Sequence, residues 1–166
     1  EGLGGISFGN FLIKRVVDEL AGEFKNLKTF ATLSPIPGFR HWLDNKFKEP
    51  GQDVEAEWLT PVERKALAAA TGTGSEPASL QTLLQAADWR EKPELAKALK
   101  QPLLRLCASY LVKEKREGGT AYDRVANFHL SNGSRIERLN WLADTSAKGI
   151  SQSAGIMVNY LYKLND

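Results

Sequence analysis

An apolar stretch that ends in two prolines places the strongest constraint on how this chain folds. Residues 28–33 (Lys-Thr-Phe-Ala-Thr-Leu) have the β-branched and aromatic content of a short buried strand. Pro35 and Pro37 have no backbone N–H to give to a sheet, so the strand is predicted to stop before them. Upstream, apolar residues recur at helical spacing between residues 12 and 24, and Asn10 is a candidate N-cap. The order helix, strand, proline-rich loop predicts a parallel or mixed sheet with a crossover helix.

The middle of the chain predicts helices. Thr60-Pro-Val-Glu63 is a capping-box sequence with proline at the first helical position, and it predicts a helix that runs to about Thr71. Residues 48–118 are therefore expected to form a mostly helical insertion. Three further helix starts in this insertion are marked by prolines, namely Pro77, Pro93 and Pro102.

Two segments near the C-terminus predict strands again. Residues 135–142 and 155–162 are rich in β-branched and aromatic residues, so the chain is expected to return to the sheet. The predicted fold class is α/β, with a mixed sheet and crossover helices.

Composition restricts the class of protein to which the chain can belong, but it says little about the activity. With 166 residues, 42% of them hydrophobic, the chain is long enough for one core. A net charge of +2 does not favour nucleic acid or an anionic membrane as the main partner. Cys107 is the one cysteine and cannot form an internal disulfide, which fits a reducing compartment. The sequence shows no apolar run of membrane-spanning length and no signal peptide, and this favours a soluble intracellular protein.

The chain opens with a glycine-rich stretch, Gly2-Leu-Gly-Gly-Ile-Ser-Phe-Gly9. Such a loop can turn tightly and bring backbone N–H groups close to an anion, at the positive end of the helix that follows. A pyrophosphate group suits this arrangement. On the pattern alone, a plain turn before a helix is the commoner meaning, and the spacing matches neither the nucleoside-triphosphate loop nor the dinucleotide-binding motif.

Two polar side chains lie in settings that can hold a reactive group. Ser34 stands at the end of the predicted strand, where Pro35 and Pro37 fix the backbone around its hydroxyl. His129 lies beside a turn in Asn127-Phe-His-Leu-Ser-Asn-Gly133. Each has a commoner structural explanation, because Ser-Pro often begins a turn and a histidine between apolar residues is usually packed and hydrogen-bonded. Ser34 is not in a GxSxG sequence, which disfavours an ordinary serine hydrolase.

The histidine and cysteine content disfavours a metal centre. The chain has two histidines and one cysteine, without HExxH or CxxC spacing, so a protein zinc site is not predicted. The other histidine, His41, is predicted to lie on a helix.

Several long sequence words in this chain resemble those of the malonyl-CoA decarboxylase family. They are GNFLIKRVVDEL, LSPIPGF, NFHLSNG, LNWLADTS and GIMVNYLY, and they are densest over residues 2–43 and 122–162. The resemblance implies the later part of a catalytic domain with an acetyltransferase-like fold. Family members are longer, so the chain is expected to be a fragment that works with an upstream part of the same protein.

The resemblance also assigns roles to individual residues. It implies that Ser34 and His129 form the catalytic pair and that both contact malonyl-CoA. It also implies that the opening loop contacts the coenzyme A part of the substrate through Gly4, Gly5, Ile6, Ser7, Phe8, Gly9 and Asn10. Four residues in the matched C-terminal stretches are candidates for supporting the pair, namely Asn140, Asn159, Tyr160 and Tyr162. Since alternate residues of a strand face opposite sides, all four are not expected to reach the pair.

The implied reaction converts malonyl-CoA to acetyl-CoA and carbon dioxide, with coenzyme A as part of the substrate and no further cofactor or metal. A homo-oligomer is expected, in the cytoplasm of a bacterium or the mitochondrial matrix of a eukaryote. Two alternatives stay open. One is an acyl-CoA acyltransferase on the same scaffold, which needs an acceptor amine and a carboxylate base; the other is a non-catalytic interaction module.

Overall fold

The computed structural model describes residues 8–49, 54–74, 78–86 and 88–162. These residues form a small sheet packed against helices, and a single 3-10 turn at Trp89–Glu91 precedes the longest helix. In chain order the described elements are α1 (Phe8–Glu23), β1 (Phe30–Pro35), α2 (Phe39–Lys46), α3 (Val54–Trp58), α4 (Pro61–Thr71), α5 (Leu80–Gln85), α6 (Pro93–Lys113), α7 (Arg124–Ser131), β2 (Arg135–Asn140), α8 (Ala147–Ser153) and β3 (Met157–Tyr162).

The fold is of mixed α and β type, as predicted, but the strand directions differ from the prediction. The three described strands lie in the order β1-β3-β2, and β3 pairs antiparallel with both neighbours. The expected parallel or mixed sheet is therefore wrong for this part of the chain. One crossover helix favours a parallel arrangement, whereas β1 and β3 are joined by a long segment that contains several helices and β2. Such a segment can return the chain from either end of the sheet.

β1 extends further than the prolines suggested. It continues through Ser34 to Pro35, which lies opposite Met157 of β3. Proline is tolerated here because β1 is an edge strand of the described sheet, and an edge strand has one side on which no N–H is needed. As a result Ser34 is held inside the ladder, opposite Val158, rather than in a loop.

Strand alternation gives the sheet two distinct faces. Thr32 and Ser34 lie opposite Tyr160 and Val158, and side chains that oppose each other in an antiparallel pair point to the same side. This face carries the buried side chains of β3 at positions 158, 160 and 162. Leu33 and Asn159 oppose each other on the second face, where Leu33 is 55% exposed.

The helix predicted before the first strand is confirmed as α1. It begins at Phe8, so Asn10 lies in its first turn and is not the N-cap. The periodicity of the apolar residues predicts the helix itself, but residue type alone does not determine the residue at which the helix begins. Gly2 to Ser7, the rest of the glycine-rich opening, lie outside the described residues.

Most local signals in the helical middle are confirmed. Thr60 and Glu63 form the capping box of α4, and Gly72 ends that helix with φ +69°, a left-handed conformation that favours glycine. Pro93 opens α6, also as predicted. Pro77 lies outside the described residues. Pro102 does not open a helix, because it lies buried inside α6.

α6 continues through Pro102 because tertiary packing outweighs one lost backbone hydrogen bond. Leu99 and Leu103 on either side of the proline are fully buried, and α6 packs against α4, α2 and the 3-10 turn. A proline inside a helix costs about 3 kcal/mol or more. Burial of a leucine side chain returns about 1.5–3 kcal/mol, so several buried leucines offset that cost.

The core joins the sheet to α2 and α6. Its largest fully buried side chains include Trp89, Tyr110, Tyr160, Phe39 and Ile156. Among the described helices, none has the length and apolar character needed to cross a membrane.

Glu63 both caps α4 and ties it to α6, and this predicts a measurable stability effect. Its carboxylate accepts hydrogen bonds from Arg105, at 2.6 Å from Nη1, and from the Thr60 backbone N–H at 2.9 Å. The Arg105 hydrogen bond lowers the pKa of Glu63 from its ordinary 4.5 to about 2. Glu63→Gln is expected to lower the free energy of unfolding at pH 7 by about 1–2 kcal/mol.

The pH dependence of that effect follows from the lowered pKa. The folded state binds the proton of Glu63 less tightly than the unfolded state, so the stabilisation is present above pH 4.5 and is lost as the pH falls towards about 2. Urea unfolding at both ends of this range measures it. Glu57→Gln, on the exposed surface of α3, is the matched control. An unchanged gap between Glu63→Gln and the unsubstituted protein at pH 2 contradicts the assignment.

Candidate active site

The structure brings Ser34 and His129 into direct contact across a large distance in sequence. Ser34 comes from the last residues of β1 and His129 from the last turn of α7. The Ser34 Oγ lies 3.1 Å from His129 Nε2. Both side chains are buried, at 5% and 7% exposure. The two residues that the resemblance pairs therefore form a hydrogen-bonded dyad inside the protein.

The dyad is part of a longer chain of hydrogen bonds. The Ser34 hydroxyl donates to Thr32 Oγ1 at 2.9 Å, and His129 Nδ1 lies 2.7 Å from the Tyr162 hydroxyl oxygen. A hydroxyl has one hydrogen, so when Ser34 gives it to Thr32, Ser34 accepts from His129 Nε2–H. Nδ1 is then the acceptor, and Tyr162 donates to it. This set of hydrogen bonds goes with the neutral tautomer of His129 that carries its proton on Nε2.

Aromatic rings hold the imidazole in place. Tyr160 stacks on His129 with ring centroids 4.3 Å apart and an angle of 20° between the planes. Phe128 meets the ring edge-on at 5.1 Å. Burial lowers the pKa of His129, so the folded protein favours the neutral imidazole at pH 7. Burial also raises the pKa of Tyr160, whose hydroxyl has no hydrogen-bond partner among the described residues.

Asp123 positions the helix that carries His129. Its Oδ1 accepts the backbone N–H groups of Val125 and Ala126 at 2.9 and 3.0 Å, which makes it the N-cap of α7. Its Oδ2 accepts the Tyr110 hydroxyl of α6 at 3.3 Å. Asp123 is 2% exposed, and a buried carboxylate is stable only when such donors satisfy it. The orientation of α7, and so of His129, depends on this contact with α6.

Gly38, in the loop that follows β1, packs against the same contact between Tyr110 and Asp123. A Cβ placed on Gly38 would clash with the Tyr110 hydroxyl and touch Asp123 Oδ2 at 3.4 Å. Glycine is therefore required for the loop after β1 to lie directly against α6 and the start of α7. The LSPIPGF sequence thus contains a glycine that is needed for packing, Gly38, as well as the serine of the dyad, Ser34.

Gly38→Ala is expected to lower the free energy of unfolding by about 1–3 kcal/mol, because the added methyl displaces Tyr110 and loosens the cap of α7. Thermal or urea unfolding measures the change. Gly22→Ala is the control, since a Cβ there meets nothing within 4 Å. In Gly38→Ala/Tyr110→Phe the clashing oxygen is gone, so part of the loss is expected to return. Equal stability of Gly38→Ala and the control contradicts the packing role.

The four candidate supporting residues divide between the two sheet faces. Tyr160 and Tyr162 contact His129, as described above. Asn140 Nδ2 donates to Asn159 Oδ1 at 2.8 Å, and Asn159 Nδ2 donates to the Thr32 carbonyl at 2.8 Å. These amides lie on the opposite face of β3 and brace the three strands rather than touching the dyad.

Two residues at the site were not identified from the sequence. Thr32 lies two positions before Ser34, so strand alternation alone places both on one face and could have revealed it. Asp123 precedes the helical stretch that holds His129, and Asp is a favoured N-cap.

His41 lies on α2, which confirms its predicted helix position, and its Nε2 is 3.1 Å from Asn45 Nδ2.

The structure describes only the last three residues of the segment that is predicted to contact coenzyme A. Gly4, Gly5, Ile6 and Ser7 lie outside the described residues, and Phe8, Gly9 and Asn10 form the start of α1. Within the described ranges, histidine, cysteine and carboxylate side chains form no group of three or more able to hold a metal ion.

Comparison with known proteins gives consistent matches. A family model described as the malonyl-CoA decarboxylase C-terminal domain matches residues 1–166. The mitochondrial malonyl-CoA decarboxylase of Rattus norvegicus is 47% identical over 167 residues, which cover 100% of this chain and 34% of the rat protein. That of Anser anser anser is 45% identical over 170 residues, covering 100% of this chain and 33% of the goose protein.

Solved structures give the same result. The crystal structure of malonyl-CoA decarboxylase from Rhodopseudomonas palustris matches with a TM-score of 0.77 and 43% identity, over 99% of this chain and 33% of that one. The structure from Agrobacterium vitis has a TM-score of 0.77 and 43% identity, over 100% and 36%. The chain spans about a third of the length of these relatives.

Proposed function

The chain belongs to the malonyl-CoA decarboxylase C-terminal domain family, and from this we propose that it catalyses the decarboxylation of malonyl-CoA to acetyl-CoA and carbon dioxide. The observation that carries the proposal is the buried Ser34–His129 pair, at 3.1 Å, in a chain 47% identical along its whole length to a malonyl-CoA decarboxylase. A hydroxyl and an imidazole in contact supply a hydrogen-bonding group and a proton at one place.

The reaction needs little from the protein beyond binding, charge stabilisation and one proton. The bond between the carboxylate carbon and the methylene carbon breaks, and its electron pair moves into the thioester carbonyl to give an enolate. The enolate then takes a proton on carbon to become acetyl-CoA. Because the thioester accepts the electron pair itself, the proposed chemistry requires neither a metal nor an organic cofactor.

Ser34 and His129 divide the remaining work. When substrate binds, the Ser34 hydroxyl turns from Thr32 to the carboxylate or the carbonyl of the malonyl group and exchanges a proton with His129. His129 gives the proton that forms the new methyl group. General acid catalysis of this kind contributes about 10²–10⁴-fold. A hydrogen-bond donor to a developing oxyanion contributes on the order of 10²–10³-fold.

Burial of the dyad supports these roles. Hydrogen bonds and charges act more strongly where water is excluded, and the side chains here are fixed before substrate arrives. Thr32 contacts Ser34, and Tyr160 and Tyr162 contact His129, so little reorganisation is needed during the reaction.

We further propose that these 166 residues act with an upstream part of the same polypeptide, because the matched relatives are about three times as long. The opening loop, Gly4 to Asn10, binds the coenzyme A pyrophosphate in this proposal, and the fold is the later part of an acetyltransferase-like domain. The protein assembles as a homo-oligomer, in the bacterial cytoplasm or the mitochondrial matrix.

Turnover of malonyl-CoA by the full-length protein tests the proposal. Carbon dioxide and acetyl-CoA are expected to form in equal amounts, with and without a metal chelator. Acetyl-CoA with a panel of amines distinguishes an acyltransferase, which would release free coenzyme A. Absence of carbon dioxide from a folded, coenzyme A-binding protein contradicts the proposed function, and loss of activity with chelator contradicts its metal-free form.

A further inference from the structure

The hydrogen bond from Tyr162 to His129 bears on a problem that the dyad alone does not solve. Each turnover consumes one proton, and with the Ser34 hydrogen on Thr32 the neutral His129 has one N–H proton, on Nε2. A neutral imidazole that loses this proton becomes an imidazolate anion. An unpaired charge in a buried aromatic setting is costly, so the dyad needs a second proton at Nδ1.

We propose that Tyr162 is the proton-relay partner of His129. Tyr162 passes its phenol proton to His129 Nδ1 while the Nε2–H group of His129 protonates the substrate carbon. This inference rests on the proposed function and adds a residue to it. The phenol oxygen lies 2.7 Å from Nδ1, a short hydrogen bond suited to proton transfer. Tyr162 is the last described residue of β3, and its side chain is 8% exposed.

The proton transfers balance within the three groups. The enolate carbon forms a bond to the Nε2 proton, and that N–H electron pair stays on Nε2. The Tyr162 O–H bond breaks at the same time, its proton moves to Nδ1, and the ring stays neutral in its other tautomer. After acetyl-CoA leaves, Nε2 regains a proton from solvent and Nδ1 returns its proton to the phenolate. The sum is one proton consumed for each malonyl-CoA.

The surroundings of Tyr162 suit this role. Burial raises the pKa of Tyr162, so the phenol carries its proton at pH 7 and is ready to donate. The Ser134 hydroxyl lies close enough to lower that pKa in part. It is buried, and it meets hydrogen-bond geometry with none of the described residues. The hydrogen of the Ser134 hydroxyl is therefore free to turn towards the phenolate oxygen of Tyr162. That oxygen also accepts a hydrogen bond from the new Nδ1–H group of His129.

A purely structural role for Tyr162 makes different predictions. If the phenol only orients the ring, its acidity has no effect on the rate. If it donates a proton, kcat depends on its acidity at nearly constant shape, as expected for general acid catalysis. Fluorotyrosines at position 162 change phenol acidity with little change in size, and they separate the two roles.

The experiment uses the full-length protein with a fluorotyrosine series at position 162, together with Tyr162→Phe. The phenylalanine variant is expected to lose kcat by roughly ten- to a hundredfold, the factor for one hydrogen bond to a charged group, with little change in KM. Along the fluorinated series kcat is expected to change progressively with phenol acidity. Tyr122→Phe, whose side chain is 46% exposed, is the matched control and is expected to leave kcat unchanged.

A second measurement does not depend on turnover. Nitrogen-15 spectra of the imidazole in the resting protein report which nitrogen carries the proton, and Nε2–H is expected. A proton on Nδ1, or a kcat that is flat along the fluorinated series while decarboxylation continues, overturns the relay and leaves the proposed function in place. No carbon dioxide from the unsubstituted protein overturns the proposed function and the relay with it.

Discussion

Replacing His129 by alanine is expected to lower kcat for malonyl-CoA decarboxylation by about 10²–10⁴-fold, the contribution of a positioned general acid. The imidazole is the group that contacts both Ser34 and Tyr162, so its removal separates the hydroxyl from the relay. Release of carbon dioxide under saturating substrate measures the effect.

The fold must survive for that result to be informative. His129 is buried against Tyr160, and alanine leaves a space there. His129→Gln retains a polar side chain of similar reach that is not an acid, so it is expected to show the same loss of kcat with a smaller loss of stability. His41→Ala, on the exposed surface of α2, is expected to have little effect. A His129 variant that keeps more than about a tenth of the unsubstituted kcat contradicts the assignment of the proton donor.

Elements whose signals are local were predicted well. The capping box at Thr60–Glu63 and the proline at the start of α6 act on the backbone next to them, and both are confirmed. Pro102 shows the limit of such signals. The same residue type that opens a helix at position 93 lies inside one at position 102, because the buried leucines around it decide the outcome.

The direction of the strands was not available from local patterns. β1 and β3 have clear strand composition, but whether they pair parallel or antiparallel depends on how the helical segment between them returns. That path is set by packing of α2 and α6 in the core, which no short window of sequence contains. The antiparallel pairing then decides which residues of β3 face Ser34.

The candidate site shows the same difference between local signals, which the sequence contains, and contacts between elements, which it does not. Spacing and composition did not separate Ser34 and His129 from ordinary structural residues, and the resemblance alone paired them. Strand alternation did predict that the four candidate supporting residues would not all reach the pair. The structure places Tyr160 and Tyr162 on one face of β3 and Asn159 on the other. The hydrogen bond between Tyr162 and His129 joins β3 to α7, and a contact between two elements has no signature in either one.

Ser34→Ala is expected to lower kcat by on the order of 10²–10³-fold, as for the loss of one hydrogen-bond donor to a developing oxyanion. KM is expected to change little, because the proposed contact strengthens as charge moves onto the thioester carbonyl. The substitution removes one oxygen from a packed strand and leaves the backbone pairing with Val158 intact, so the fold is expected to persist.

The ratio of the two kinetic effects decides what Ser34 does. A group that acts in the transition state lowers kcat and kcat/KM together, whereas a group that only binds substrate raises KM at constant kcat. Ser151→Ala, on the exposed side of α8, removes a hydroxyl of the same kind far from the dyad in sequence and is the control. If Ser34→Ala raises KM alone, Ser34 is a binding residue and His129 protonates the enolate without it.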